Sequence, residues 1–203
     1  QMFVHDDVKS AIPFIEQSHA KGKPFFINLW MHEPHTPFHV DPKLQKRFAK
    51  LGEKDAIYAA TLFHADLRIG QLLAALDRLK LTKDTLVIFS SDNGPARGAK
   101  DAPLTLGYDS ATGLGYGIAA AKGITGGRRA YKGALLEGGI GVPFIARWPG
   151  QVPAGKVDKS SILSAVDLLP TFCELAGVKL PRSYKPDGIS QVATLKGNGN
   201  SKR

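Results

Sequence analysis

The string Ser91-Asp92-Asn93-Gly94 combines two oxygen-bearing side chains with a turn-forming glycine. A carboxylate and a carboxamide oxygen on one tight turn suit a hard cation such as Ca²⁺ or Mg²⁺. The alternative is an ordinary turn after a strand, because Asp, Asn and Gly favour turns in any case. Two ligands do not complete a metal site. Asp92 and Asn93 are therefore candidate metal ligands that need partners from elsewhere.

Three histidines, His32, His35 and His39, lie in one proline-rich loop. Such a cluster could bind zinc, but no cysteine is nearby, and the prolines of Pro34-His35-Thr36-Pro37 separate the rings. A loop histidine can instead donate a proton, or donate a hydrogen bond to an anion. A solvated surface loop is the alternative interpretation.

Lys132 follows the segment Gly126-Gly127-Arg128-Arg129 and precedes Glu137-Gly138-Gly139. A lysine after a flexible glycine segment can contact an oxyanion as a point charge. A lone lysine is more often part of the solvated surface, so Lys132 by itself is a weak signal. The paired glycines allow another backbone to approach closely, or allow a sharp turn.

The composition favours an anionic partner. The 203 residues carry 27 Lys and Arg against 18 Asp and Glu, a net charge of +9, which suits sulfated sugars, phosphates, nucleic acids or acidic membranes. The basic residues are scattered, and the aromatic residues are not interleaved with them as stacking platforms, so we expect no nucleic-acid partner. No apolar segment is long enough to span a membrane. One cysteine excludes an internal disulfide.

Periodicity predicts alternating helices and strands. Helices are predicted over residues 7–20, over 55–79, and from Asp167 to Gly177; short apolar runs at 25–30, 85–90 and 142–148 predict strands. The Gly-rich segment 94–131 has weak periodicity and is predicted to be a long loop. This alternation predicts an α/β fold, a layered and mostly parallel sheet with flanking helices. Two candidate motifs directly follow strands, where ligands bind in such folds.

Taken together, these strings resemble the C-terminal part of the catalytic domain of sulfatases of the arylsulfatase type. The resemblance covers nearly the whole chain and includes Arg147-Trp148-Pro149-Gly150 and Pro186-Asp187-Gly188. It implies an incomplete alkaline-phosphatase-like fold, with residues 1–177 in the catalytic domain and 178–203 beginning a smaller, truncated C-terminal subdomain. It also implies hydrolysis of sulfuric esters, a bound Ca²⁺, and a formylglycine nucleophile made from Cys or Ser in a C/S-x-P-x-R motif.

The resemblance also assigns roles by position. Asp92 and Asn93 would be two Ca²⁺ ligands. His35 would contact the sulfate ester and assist the leaving oxygen, and Lys132 would hold the sulfate oxygens, so both are the expected catalytic and substrate-binding residues. A cation with Lys and His around a sulfate would stabilise developing charge. The remaining ligands and the nucleophile are expected upstream of Gln1, and the complete protein is expected to be periplasmic, secreted or lysosomal.

Two departures stand out against this resemblance. No C/S-x-P-x-R motif occurs in the 203 residues, and Gly141 stands where the family usually carries arginine. Loss of a guanidinium removes a fixed hydrogen-bonding fork. The insert Gly107–Gly123 could shape access of the substrate. We expect the chain alone to lack sulfatase turnover and to be poorly soluble.

The resulting prediction is part of a Ca²⁺-dependent sulfatase that acts, in the complete protein, on a sulfated sugar or an aryl sulfate. Two alternatives remain. One is a non-catalytic fragment whose basic surface binds sulfated glycans. The other is a phosphoester hydrolase of the same fold, which would use two transition-metal ions and more His and Asp ligands than the chain shows.

Overall fold

The computed structural model describes residues 7–110, 112–199 and 201. The chain divides into two compact units, the first from Gln1–Leu81 with Ser90–Pro143 and the second from Thr82–Phe89 with Phe144–Arg203. The subdomain boundary predicted at residue 177 stays a prediction. The helices are α1 (Asp7–Ala20), α2 (Pro42–Arg47), α3 (Glu53–Arg78), α4 (Glu137–Ile140), α5 (Leu168–Leu175) and α6 (Val192–Leu195), and the strands are β1 (Phe38–His39), β2 (Val87–Ser90), β3 (Thr105–Asp109), β4 (Gly113–Tyr116) and β5 (Phe144–Arg147).

Helices α1 and α3 confirm the two helices predicted in the first unit. Ala56, Ile57 and Ala60 on α3 are buried, as the apolar spacing of this segment requires. Helix α3 packs against α1 and α2. An exposed ion pair also links α3 to α1, with Arg78 Nη2 2.6 Å from Glu16 Oε1. The described residues include no helix long and apolar enough to cross a membrane.

The core of the first unit anchors the proline-rich loop. Phe38, at the end of that loop, is 2% exposed and packs edge-to-face on Tyr58 of α3, with ring centroids 5.9 Å apart. The buried cluster around it contains Phe38, Val40, Ile57, Ala60, Ala120 and Ala121. The loop that carries His35 is therefore fixed at its C-terminal end by a hydrophobic anchor.

The prediction of a continuous loop over 94–131 is wrong for residues 105–116. Strands β3 and β4 form an antiparallel hairpin there, and β4 also pairs antiparallel with β1, in the order β1-β4-β3. The predicted mostly parallel sheet therefore does not describe this sheet. Glycine has a low intrinsic preference for strands. The hydrogen bonds to a paired strand therefore determine the conformation here, and the residues of the segment do not reveal that partner.

The strand predicted over 25–30 is also wrong, since no strand is formed there. Phe26 and Trp30 are 68% and 78% exposed. An apolar run becomes a strand only when it pairs with a neighbouring strand, and residues 25–30 belong to neither sheet of the described residues.

In the second unit, β2 and β5 are hydrogen-bonded neighbours in a two-stranded sheet. They confirm the strands predicted at 85–90 and 142–148, although both are shorter than predicted. Trp148 Nε1, just after β5, donates a hydrogen bond to Lys83 O at 2.7 Å. Helix α5 confirms the predicted third helix, and Gly177 ends it with a φ of +67°.

Asp167 organises the second unit. Its side chain accepts hydrogen bonds from Ser164 N and Ile189 N, both at 2.9 Å, and from Gln191 Nε2 at 3.4 Å. Thr171 Oγ1 donates to Asp167 O at 2.6 Å. Asp167 stands at the start of α5 as predicted, but its carboxylate caps the preceding turn, through a capping box with Ser164, instead of α5.

Candidate functional site

The turn 91–94 lies directly after β2 and is held by its own hydrogen bonds. Ser91 Oγ donates to Asn93 O at 3.0 Å, and Asn93 Nδ2 donates to Gly94 O at 2.9 Å. Because the amide nitrogen of Asn93 is used inside the turn, its side-chain oxygen is left as an acceptor. Asp92 is exposed. Carboxylate and carboxamide oxygens on one rigid turn fit part of a Ca²⁺ coordination sphere.

The same turn is packed against the glycine pair of α4. Gly94 N donates to Gly139 O at 2.7 Å. A Cβ on Gly94 would collide with Gly138 O, so the two backbones approach more closely than any side chain permits. The glycines predicted to allow close approach do so here.

Lys132 is brought to this turn by a second backbone contact. Lys132 N donates to Pro95 O at 2.9 Å, and Gly138 N donates to Arg129 O at 2.7 Å. Three backbone segments, 94–95, 129–132 and 138–139, thus form one hydrogen-bonded layer. The Lys132 side chain is exposed, so its charge is available to an anion from solvent.

His35 is positioned by contacts within its own loop. His35 N donates to His32 O at 2.8 Å, and the two rings meet edge-to-face with centroids 5.7 Å apart. His35 Nδ1 lies 2.6 Å from Thr36 O. A carbonyl oxygen can only accept a hydrogen bond, so Nδ1 carries the proton and Nε2 is the nitrogen left for a ligand. The ring is exposed.

A half-buried pair that sequence patterns did not reveal ties this loop to α3. His64 Nδ1 lies 2.8 Å from Glu33 Oε1, with side chains 14% and 17% exposed. Burial raises the pKa of Glu33, but hydrogen bonds from His64 and its own backbone, with the charges of His64 and His32, bring that pKa below its usual value. The partners are 31 residues apart, so no local spacing could have identified them.

The structure thus joins the Asp92–Asn93 turn and Lys132 through backbone hydrogen bonds, whereas His35 is placed by its own loop and by α3. In the parts of the chain that the structure describes, no group of three or more His, Cys, Asp or Glu residues could hold a metal ion. The three loop histidines therefore do not form a zinc site. The roles of His35, Asp92, Asn93 and Lys132 stay predictions.

Comparison with known proteins assigns the family. The family model described as Sulfatase matches residues 4–178. Arylsulfatase G of Rattus norvegicus is 32% identical over 191 residues, 94% of this chain and 33% of the relative. Arylsulfatase A of Homo sapiens is 29% identical over 201 residues, 99% of this chain and 33% of the relative. The chain spans about one third of the length of these curated relatives.

Solved structures agree with this assignment. The crystal structure of Ps i-CgsB superposes with a TM-score of 0.76 at 31% identity, over 95% of this chain and 38% of that one. The PsFucS1 sulfatase from Pseudoalteromonas sp. superposes with a TM-score of 0.72 at 30% identity, over 97% and 35%. The fold is α/β and alkaline-phosphatase-like, present here in part. The chain belongs to the sulfatase family.

Proposed function

We propose that this chain contributes an anion-binding part of the active site of a sulfuric ester hydrolase. The observation that carries the proposal is the backbone layer in which Lys132 N bonds to Pro95 O and Gly94 N bonds to Gly139 O. This layer links the backbone of the turn that carries Asp92 and Asn93 to the backbone of Lys132, whose side chain is exposed. A rigid backbone that presents charge to a reacting group is the arrangement that lowers an electrostatic barrier.

Lys132 would bind the sulfate group. Its ammonium offers three donors on a flexible stem, while its backbone is fixed by the bond to Pro95 O. The negative charge on sulfate oxygens is redistributed as the S–O bond breaks. A fixed positive charge at these oxygens stabilises that change without reorganisation of water.

His35 would act at the leaving oxygen. With Nδ1–H bonded to Thr36 O, only Nε2 can face the ester. In the imidazolium form Nε2 carries a proton, which it can donate to the leaving alkoxide or phenoxide. In the neutral form Nε2 is an acceptor and cannot serve as the acid, so this role requires the charged ring.

Asp92 and Asn93 would hold Ca²⁺ together with ligands from outside these 203 residues. When bound, the ion would supply a positive charge that polarises a sulfate oxygen. The chain has no C/S-x-P-x-R motif, so the formylglycine nucleophile would also come from outside it. The 203 residues alone would therefore show no turnover.

The proposed substrate is a sulfated sugar or an aryl sulfate. Relatives include arylsulfatases and an N-acetylgalactosamine-6-sulfatase, and one neighbour was crystallised with k-i-k-neocarrahexaose. A net charge of +9 suits such anions. The complete protein would work in the periplasm, outside the cell or in a lysosome.

The proposal can be tested by joining an upstream sulfatase segment that carries the nucleophile motif to this chain. We expect sulfate release from p-nitrocatechol sulfate, and a loss of at least about tenfold in kcat/KM for Lys132→Ala and Asp92→Ala. Asp101→Ala, which removes an exposed carboxylate from the same loop region, should keep full activity. No sulfate release, or equal losses in all three variants, would contradict the proposal.

A further inference from the structure

We propose that this site takes a polysulfated sugar chain, and that Arg97 and Arg128 hold sulfate groups adjacent to the one held by Lys132. The inference rests on the proposed function of Lys132 and narrows it from sulfate esters in general to oligosaccharides with several anionic groups. We call Arg97, Arg128, Arg129 and Lys132 the basic patch.

Charge within the chain is the first argument. Residues 110–136 contain four cations and no Asp or Glu. One of them, Lys122, is neutralised by Asp55, whose Oδ1 lies 2.9 Å from Lys122 Nζ. Arg128, Arg129 and Lys132 are exposed and have no acidic partner among the described residues. Several exposed like charges in one segment destabilise each other unless an external anion lies among them.

Arg97 extends the basic patch on the side of Pro95. Its guanidinium carbon lies 5.9 Å from the ring centroid of Tyr131, the residue before Lys132. Lys132 N is in turn bonded to Pro95 O, so both cations belong to the same hydrogen-bonded layer. A guanidinium over an aromatic face keeps its N–H edge free for an anion, and that planar fork matches two oxygens of a sulfate.

Arg128 is positioned on the other side, by Gly141. Thr125 Oγ1 donates to Arg128 O at 2.8 Å and fixes the backbone there. A Cβ on Gly141 would lie 2.6 Å from Glu137 O, and 3.3 Å from Arg128 Cδ and 3.4 Å from Arg128 Nε. The φ of Gly141 is −78°, which any residue adopts, so the glycine matters here for space. It leaves the room in which the arginine side chain lies.

The number of cations in the basic patch distinguishes a monosulfated from a polysulfated substrate. A small aryl sulfate carries one anionic group, which Lys132 alone can hold. Three cations carry more positive charge than one sulfate neutralises, so the two further guanidinium groups favour a substrate with additional sulfates. Binding of such a chain should also weaken steeply with salt, because several exposed charge pairs are screened together.

The test is binding of two probes to the full 203-residue chain by titration calorimetry: a heparin-derived hexasaccharide and N-acetylglucosamine 6-sulfate. Arg128→Ala and Arg97→Ala should each weaken hexasaccharide binding about fivefold, as one exposed charge pair would, and leave the monosulfated sugar unchanged. Arg182→Ala, an exposed arginine of the second unit, is the control and should weaken binding of neither probe.

The outcomes separate the two proposals. If Arg182→Ala weakens the hexasaccharide as much as Arg128→Ala does, the effect is one of net charge and the inference is overturned. Equal losses on both probes for Arg97→Ala and Arg128→Ala also overturn it. Lys132→Ala should weaken both probes. If it weakens neither, the role proposed for Lys132 fails, while a selective effect of Arg128→Ala would still support a polysulfate surface.

Discussion

Asp92 and Asp167 are carboxylates at comparable places, each at a turn after or before a regular element, yet their surroundings are opposite. Asp167 is 1% exposed, and its side chain accepts three hydrogen bonds in the second unit. Asp92 is exposed in the first unit, and no hydrogen bond to its carboxylate is found in the described parts of the chain. The carboxylate of Asp167 is bonded within the fold, whereas that of Asp92 is left exposed, as the proposed role of a Ca²⁺ ligand requires.

The contrast shows how the molecule separates stability from binding. Around Asp167, side chains and backbone satisfy each other completely. Around Asp92, the backbone is also held, through the bond from Gly94 N to Gly139 O, but no hydrogen bond to the Asp92 carboxylate is found in the described parts of the chain. A rigid backbone with unused charged groups is what a binding site needs, because no ordering cost then falls on ligand binding.

Asp167→Ala should have the largest effect on stability. It would remove the carboxylate, itself 1% exposed, that accepts hydrogen bonds from Ser164 N and Ile189 N, and hydrogen bonds to a charged group contribute about 1.5–3 kcal/mol each. We expect a loss of about 3 kcal/mol or more in the free energy of unfolding, measured by urea denaturation. The control is Asp84→Ala, an exposed aspartate in the same unit. A loss below about 1 kcal/mol for Asp167→Ala would remove the contrast with Asp92.

Gly94→Ala should come next and should act on the site. The new Cβ collides with Gly138 O, so the turn and α4 must move apart, at a cost of about 2–3 kcal/mol. Amide NMR signals of residues near Asn93 and Gly139 should shift. The matched control is Gly70→Ala in α3, where nothing lies within 4 Å of the added Cβ. That variant should gain up to about 1 kcal/mol, because alanine favours helix. Equal destabilisation by both would contradict the close packing.

Sequence patterns predicted the long elements well. The apolar spacing of α3 and the fully apolar centre of β2 are properties of single segments, which a sequence displays directly. The β1-β4-β3 sheet could not be predicted in this way, because Gly107, Gly113 and Gly115 give its strands little intrinsic preference. The strand predicted over 25–30 was wrong for the converse reason. It has a strand composition but no neighbouring strand in the described chain.

The candidate site likewise has features that the sequence predicted and features that it did not. Turn and glycine motifs marked the Asp92–Asn93 turn and Lys132 because their chemistry is local. The close approach of Gly94 to Gly138, and the contact between Arg128 and Gly141, join segments far apart in sequence. So does the pair of Glu33 and His64. Such contacts depend on the fold as a whole, and no spacing rule expresses them.

Glu33→Gln tests whether the loop of His35 depends on a charged anchor. The pKa of Glu33 is below its usual value of 4.5, so its contribution to stability is present above pH 4.5 and is lost as the pH falls through the folded-state pKa. We expect the variant to lose about 1 kcal/mol at pH 7 and to approach the wild type as the pH falls through the folded-state pKa of Glu33. Thermal melts across this range measure the difference. Glu16→Gln, which weakens an exposed pair with Arg78, should cost less than about 0.5 kcal/mol.

Asp92→Ala should have the smallest effect on stability and therefore sharpens the comparison with Asp167. An exposed carboxylate that no group in the described chain bonds should change the free energy of unfolding by less than about 0.5 kcal/mol. Its loss should instead appear in Ca²⁺ titrations of this chain joined to an upstream segment that supplies the remaining ligands, followed by the amide signals of residues 92–94, which should shift in the wild type and not in the variant. Asp101→Ala should respond to Ca²⁺ as the wild type does. A stable variant with an unchanged Ca²⁺ response would mean that Asp92 is only a turn residue, whereas a strongly destabilised variant would mean that its carboxylate, like that of Asp167, serves the fold.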